Sequence, residues 1–231
     1  MRLKGYPMST TRDSLRGMAR TYLQRRYTIL FYALLLTLLA APAISALKMS
    51  GTLLESLLGA SLLAAILPVR EVRSRPYLLL TILVVWLARP LAGWLDHPAL
   101  TTMTIGIWTL IGLLAAVAAL RFAMRAGQVD AERLYSALSA YLLAGIYFGL
   151  LYWVLEQLNP GTFTVTGPFS QTSAIYFSFV TLATLGYGDI APRGDMARGL
   201  AIVEGVGGQL FLAVLVARLV SLYSKTGDQS N

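Results

Sequence analysis

Apolar residues run along this chain in blocks long enough to cross a bilayer, and polar residues gather in the gaps between them. The blocks fall at about Tyr27 to Leu47, Thr52 to Pro68, Tyr77 to Leu95, Leu100 to Leu120, Leu134 to Leu158 and Met196 to Tyr223. Each approaches the ~20 residues a helix needs to span the hydrocarbon layer, so the pattern predicts six transmembrane helices. A further apolar stretch, Ser170 to Ala183, is too short to span and predicts a helix that enters the membrane and turns back. Ser170 is placed to cap its start and Asp195 to cap the sixth span. Turn-forming Asn159-Pro160-Gly161 and Gly167-Pro168 occupy the loop before it. Pro42 and Pro90 are expected to kink the first and third helices.

Composition fixes the class. The chain is 56% hydrophobic and 13% charged, where soluble domains run near ~25% charged; its mean hydropathy is +0.64. It has no cysteine, and its one histidine is His97. Disulfides, thiol catalysis, cysteine metal sites and the usual nucleophile–histidine pairs are excluded. No paired carboxylates appear either, so neither an enzyme nor a cofactor is expected.

The net charge of +8 raises nucleic acid as a partner, but the charges lie in the loops beside apolar blocks. With six spans and both termini in the cytoplasm, fifteen of the nineteen Lys and Arg residues fall on the inner side. That bias is the positive-inside pattern of a multi-pass cell-membrane protein. Residues 1–26 carry seven basic residues, and Leu15, Met18, Ala19, Tyr22 and Leu23 recur at helical spacing among them. The segment reads as an amphipathic helix on anionic lipid or as a solvated basic tail. The first apolar run exceeds a signal-peptide core, so a retained helix is expected. Glu55 and Arg89 are charges inside predicted spans, open to a gating role, an ion pair or snorkelling.

The candidate chemistry lies at Thr184-Leu185-Gly186-Tyr187-Gly188-Asp189, between the re-entrant helix and the last span. Alternate glycines hold positive φ at little cost, which lets successive carbonyls face one way. A row of such oxygens, continued by a threonine hydroxyl, replaces the water around a dehydrated cation.

This hexapeptide resembles the Thr-Val-Gly-Tyr-Gly-Asp filter of the tetrameric potassium channels, with Leu185 in place of valine. The resemblance covers residues 170 to about 223. It implies an all-α homotetramer with a pore helix, a selectivity-filter loop and K+ held by oxygens of Thr184, Leu185, Gly186 and Tyr187, with Gly188 completing the filter. It places Tyr176, Phe177, Thr181 and Asp189 as filter support, with a Tyr176–Asp189 hydrogen bond or plain aromatic packing left open. Val180 stands where some relatives carry glutamate, so no carboxyl pair with Asp189 is available. Gly208 follows Gly188 at the spacing of the family's gating-hinge glycine, with Gly205 and Gly207 expected to serve packing. Leu212 and Val216 are expected to line the cavity below the filter.

The six-segment plan resembles the voltage-gated-like channels, yet residues 100–120 hold no basic residue, so the usual voltage sensor is absent. The organisation expected is a basic segment 1–26, a four-helix non-voltage-sensing domain 27–121, a linker 122–133, a pore domain 134–225 and a short tail 226–231. A ligand-binding cytoplasmic domain after the sixth span is not expected. The function expected is passive, potassium-selective conduction under an unknown stimulus. The alternatives are a weakly selective cation channel, a pore closed at rest, and a non-conducting scaffold or accessory subunit.

Overall fold

A computed structural model describes residues 25–46, 98–125 and 130–227, with the isolated positions 59, 83 and 84. The basic segment to residue 24, the second and third apolar blocks, Glu55 and Arg89 lie outside the described residues, as does the tail beyond 227. The described chain forms α1 (Arg26–Ala46), α2 (Pro98–Met124), α3 (Ala131–Leu158), α4 (Gln171–Leu182) and α5 (Asp195–Gly227). Two short strands, β1 (Phe163–Thr164) and β2 (Ala191–Pro192), pair antiparallel. Three helices, α2, α3 and α5, are long and apolar enough to cross a membrane, and α1 carries a shorter apolar stretch over Arg26–Ala40. The helical membrane class is as expected, and the described part of the chain accounts for three of the six predicted spans by this measure.

The connection expected over 122–133 is shorter, because both flanking helices are longer than their apolar cores. Helix α2 continues through Arg121-Phe122-Ala123-Met124, residues with no helix breaker among them. Helix α3 begins at Ala131 because the Asp130 side chain caps it, accepting from the Arg133 amide at 3.0 Å. Joined by so few residues, α2 and α3 must lie side by side as a hairpin of one chain. The sixth helix also differs at its start. Asp195 is its first residue, not the cap before it, and pairs loosely with Arg198 at 3.9 Å on an exposed surface.

Leu30 and Leu34 of α1 and Trp108, Ile111, Ala115 and Ala119 of α2 recur three or four residues apart. They meet Leu143, Ile146, Tyr147 and Leu150 of α3 in one buried core, which Ile175 of α4 joins. The cytoplasmic end predicted for this bundle is tied by polar contacts. The Glu132 carboxylate accepts from the amides of Tyr27 and Thr28 at 3.0 and 3.4 Å and from the Thr28 hydroxyl at 2.5 Å. A residue of α3 thereby satisfies the orphan N–H groups at the start of α1. The Arg26 guanidinium lies 4.9 and 4.8 Å from the ring centres of Tyr27 and Phe122.

The last carbonyls of α2 are met in the same way. Arg218 of α5 donates to the carbonyls of Ala123 and Arg125, the latter at 2.6 Å, and Arg133 donates to Arg125 at 3.0 Å. Cations at a helix C-terminus are favoured by the dipole as well as by the hydrogen bonds. Helix α5 is otherwise sparsely covered. Within the chain 56% of the apolar stretch of α3 is buried, against 11% for α5.

Candidate ion-conducting site

The site is built on α4, a twelve-residue helix started by Ser170, whose hydroxyl accepts from the Ser173 amide at 3.1 Å. It is seated against α3 at close range. A Cβ on Gly145 would stand 2.6 Å from the Phe179 ring, and one on Gly149 would stand 2.5 Å from the Ile175 Cα. Bulkier residues there would push the helix off its seat.

The chain leaves α4 in a tight turn. Ala183 donates to Phe179, Thr184 to the Thr181 carbonyl at 3.0 Å and Leu185 to the Val180 carbonyl at 2.9 Å. From there φ is +55° at Thr184, +60° at Gly186 and +79° at Gly188, while Leu185 and Tyr187 are not left-handed. Alternation of left- and right-handed residues brings successive peptide carbonyls to one side of a strand and the amides to the other. The two glycines adopt the left-handed region freely. Thr184 is a β-branched residue in that region and stands out. Residues 183–189 are all exposed, and a Cβ on either glycine would meet nothing within 4 Å.

Behind the strand the expected supports separate. Tyr176 faces residues 184–189, its ring parallel to that of Tyr187 at 6.5 Å and its hydroxyl near enough to the Asp189 carboxylate to feel its charge. Phe177 points the other way, into a buried cluster, with ring centres 5.0 Å from Tyr152 and 5.3 Å from Phe163. Thr181 contributes its carbonyl to the turn at Thr184 and lies 3.7 Å from a Cβ built on Gly205. The glycines of α5 differ in their surroundings within the chain. Gly208 is the closely packed one, since a Cβ there would stand 2.6 Å from the Leu182 carbonyl oxygen, whereas Gly207 has open space. Helix α5 is continuous through both. Leu212 and Val216 are exposed on it.

Three groups near the site carry no motif in the sequence. Glu156 folds the outer loop, accepting from the amides of Gly161 at 2.8 Å and Phe163 at 3.0 Å. Its loop then holds the chain that follows residue 189: the Arg193 amide donates to the Thr162 carbonyl at 2.7 Å beside the β1–β2 pair. Gln209 of α5 donates to the Thr184 hydroxyl at 3.3 Å. Glu204 of α5 is buried, with the Tyr152 and Ser178 hydroxyls against its carboxyl group. Only Glu156 had a readable cue, an acidic residue just before a turn-rich loop.

A short helix packed on an apolar bundle, an exposed strand of alternating handedness and a following apolar helix fit a helical membrane channel. The comparisons agree. Residues 138–225 match the family described as "Ion channel". The chain is 34% identical over 89 residues to the inward rectifier potassium channel Kirbac3.1 of Paramagnetospirillum magnetotacticum, covering 37% of this chain and 28% of that one. It is 31% identical over 87 residues to two-pore potassium channel 3 of Arabidopsis thaliana, covering 38% and 18%. It is 30% identical over 101 residues to protein LctB of Bacillus caldotenax, covering 40% and 74%. No solved structure matches significantly. The chain belongs to the potassium channel superfamily. It spans about a quarter of the length of the inward rectifier and less of the two-pore channel.

Proposed function

We propose that this protein conducts K+ passively across a cell membrane as a homotetramer, selecting it at Thr184 to Gly188. The observation that carries the reading is the alternation of left-handed residues at 184, 186 and 188 on a fully exposed strand. Bare backbone at membrane depth is tolerated only where it lines water or is buried in protein. One strand offers too few oxygens to replace an ion's hydration shell, and four around an axis supply them. The resident ion is the permeant K+, held by carbonyls of Thr184, Leu185, Gly186 and Tyr187 and by the Thr184 hydroxyl.

In this reading α4 directs its carbonyl end, worth about half an elementary charge, toward the ion. Tyr176 and Asp189 brace the strand from behind. Leu212 and Val216 face the inner vestibule and Gly208 is the point at which α5 bends. Six spans hold both termini in the cytoplasm, where the basic regions contact anionic lipid.

The test is the reversal potential of purified full-length protein in a planar bilayer with K+ on one side and Na+ on the other. A value close to the K+ equilibrium potential, lost in Gly186→Ala, is expected. A value near zero with real current would replace selective conduction by a weakly selective pore. No current under any condition, from a single-copy protein, would point to a scaffold or accessory subunit instead.

A further inference from the structure

Glu204 sits in the middle of an apolar helix, one turn before Gly208, and is 2% exposed. Two elements close on it. From α3 the Tyr152 hydroxyl donates to Oε2 at 2.7 Å. From α4 the Ser178 hydroxyl lies in a short contact with Oε1. Among the described residues Tyr141, also on α3, is the remaining titratable group near enough to interact with it. Among the described residues no Lys, Arg or His faces the carboxyl group.

The protons around Glu204 can be counted. The Ser178 oxygen also lies 2.6 Å from the Gly145 carbonyl oxygen, so it has two partners and one proton. A carbonyl has no proton to give. All three contacts close together only if Glu204 supplies the second one: Oε1–H donates to Ser178, Ser178 donates to Gly145, and Tyr152 donates to Oε2. An ionised carboxylate would leave Ser178 one proton short between two acceptors. It would also place an unpaired charge in apolar surroundings, which costs far more than burying a neutral acid.

We propose that Glu204 is a proton-binding site: a neutral carboxylic acid that fastens α5 to α3 and α4 behind the filter, its occupancy setting how firmly the inner helix is held. The fastening is close to the conducting strand, because Ser178 lies six residues before Thr184 and Gly208 packs on the Leu182 carbonyl. When α5 undocks and water reaches the group, the proton passes to solvent and the carboxylate is hydrated. The docked state therefore binds a proton that the undocked state releases, and docking weakens as pH rises. Only the flux arm of the test below rests on the conduction reading.

The experiment uses full-length protein in liposomes. Infrared spectra in D2O should show a protonated-carboxyl C=O band that fades as pH rises and is missing in Glu204→Gln. The amide of that variant keeps the donor to Ser178 and the acceptor for Tyr152, so its K+ flux should lose the pH dependence of the wild type. Tyr152→Phe removes a donor that favours the ionised form, and should carry the titration of the band to higher pH. A wild type without a Glu204-dependent band wherever it is folded, or a Gln variant with the wild-type pH profile, would overturn the proposal. A silent wild type would instead count against conduction, and melting curves would decide the proton site. The wild type should then lose melting temperature with rising pH relative to Glu204→Gln, and parallel curves would refute the site.

Discussion

Gly207 and Gly208 are neighbours on α5 with opposite surroundings, and alanine should tell them apart. At 208 the new methyl would meet a backbone carbonyl at 2.6 Å, which cannot swing aside as a side chain would. Gly208→Ala is expected to destabilise the protein by about 1–3 kcal/mol. Gly207→Ala meets nothing within 4 Å of its own chain and gains up to ~1 kcal/mol of helix propensity. Chemical unfolding of the two variants in one detergent checks the order, and equal effects would refute the packing account. The sequence flagged all three glycines by spacing but assigned the tight contact elsewhere, because spacing along one helix does not say which face meets α4. The left-handed Thr184 was equally hidden: only the glycines advertise positive φ, and a threonine is carried there by its neighbours. Glu204 was overlooked for a related reason, since its partners lie 26 and 52 residues away in sequence.

Among the elements, the start of α1 depends on a residue of α3. Glu132→Ala removes the acceptor of two amides and a hydroxyl, a loss of about 1–2 kcal/mol by analogy with other helix caps. Hydrogen exchange at Tyr27 and Thr28 should quicken while the core amides of α3 keep their protection. Unchanged exchange at those two residues would mean the cap is not formed. The elements themselves were the most legible part of the chain. Apolar blocks gave α1, α2, α3 and α5 to within a few residues, since burial in lipid imposes length directly on sequence. Their ends were less legible, because Asp130 and the run 121–124 extend the helices beyond the apolar blocks. The β1–β2 pair left no periodic trace in two-residue strands.

At the scale of the whole molecule, the inner helix is the part least complete by itself. Ile202, Val203, Val206, Leu210 and Val216 are all exposed on α5, and residues 183–189 beside them are bare. Light scattering of the protein–detergent complex should give four copies of the 25.1 kDa chain. A single copy would remove the basis of the conduction reading. The fourfold arrangement is proposed from chemistry, from counting oxygens around an ion, and not from any apolar pattern.

Arg218 gives α5 the character of a lever with a latched end. It lies ten residues beyond Gly208, about 15 Å at helical rise, and its guanidinium holds the last carbonyls of α2. A bend of about 20° at Gly208 would carry that end roughly 5 Å sideways, much farther than a hydrogen bond stretches. The lower half of α5 therefore swings only by unlatching from α2 or by pulling α2 along. Since α2 and α3 form one hairpin, the second course transmits the swing to α3 of the same chain. Arg218→Gln, with a weaker hold on those carbonyls, is expected to let the lever move alone and to raise the resting K+ flux of reconstituted vesicles.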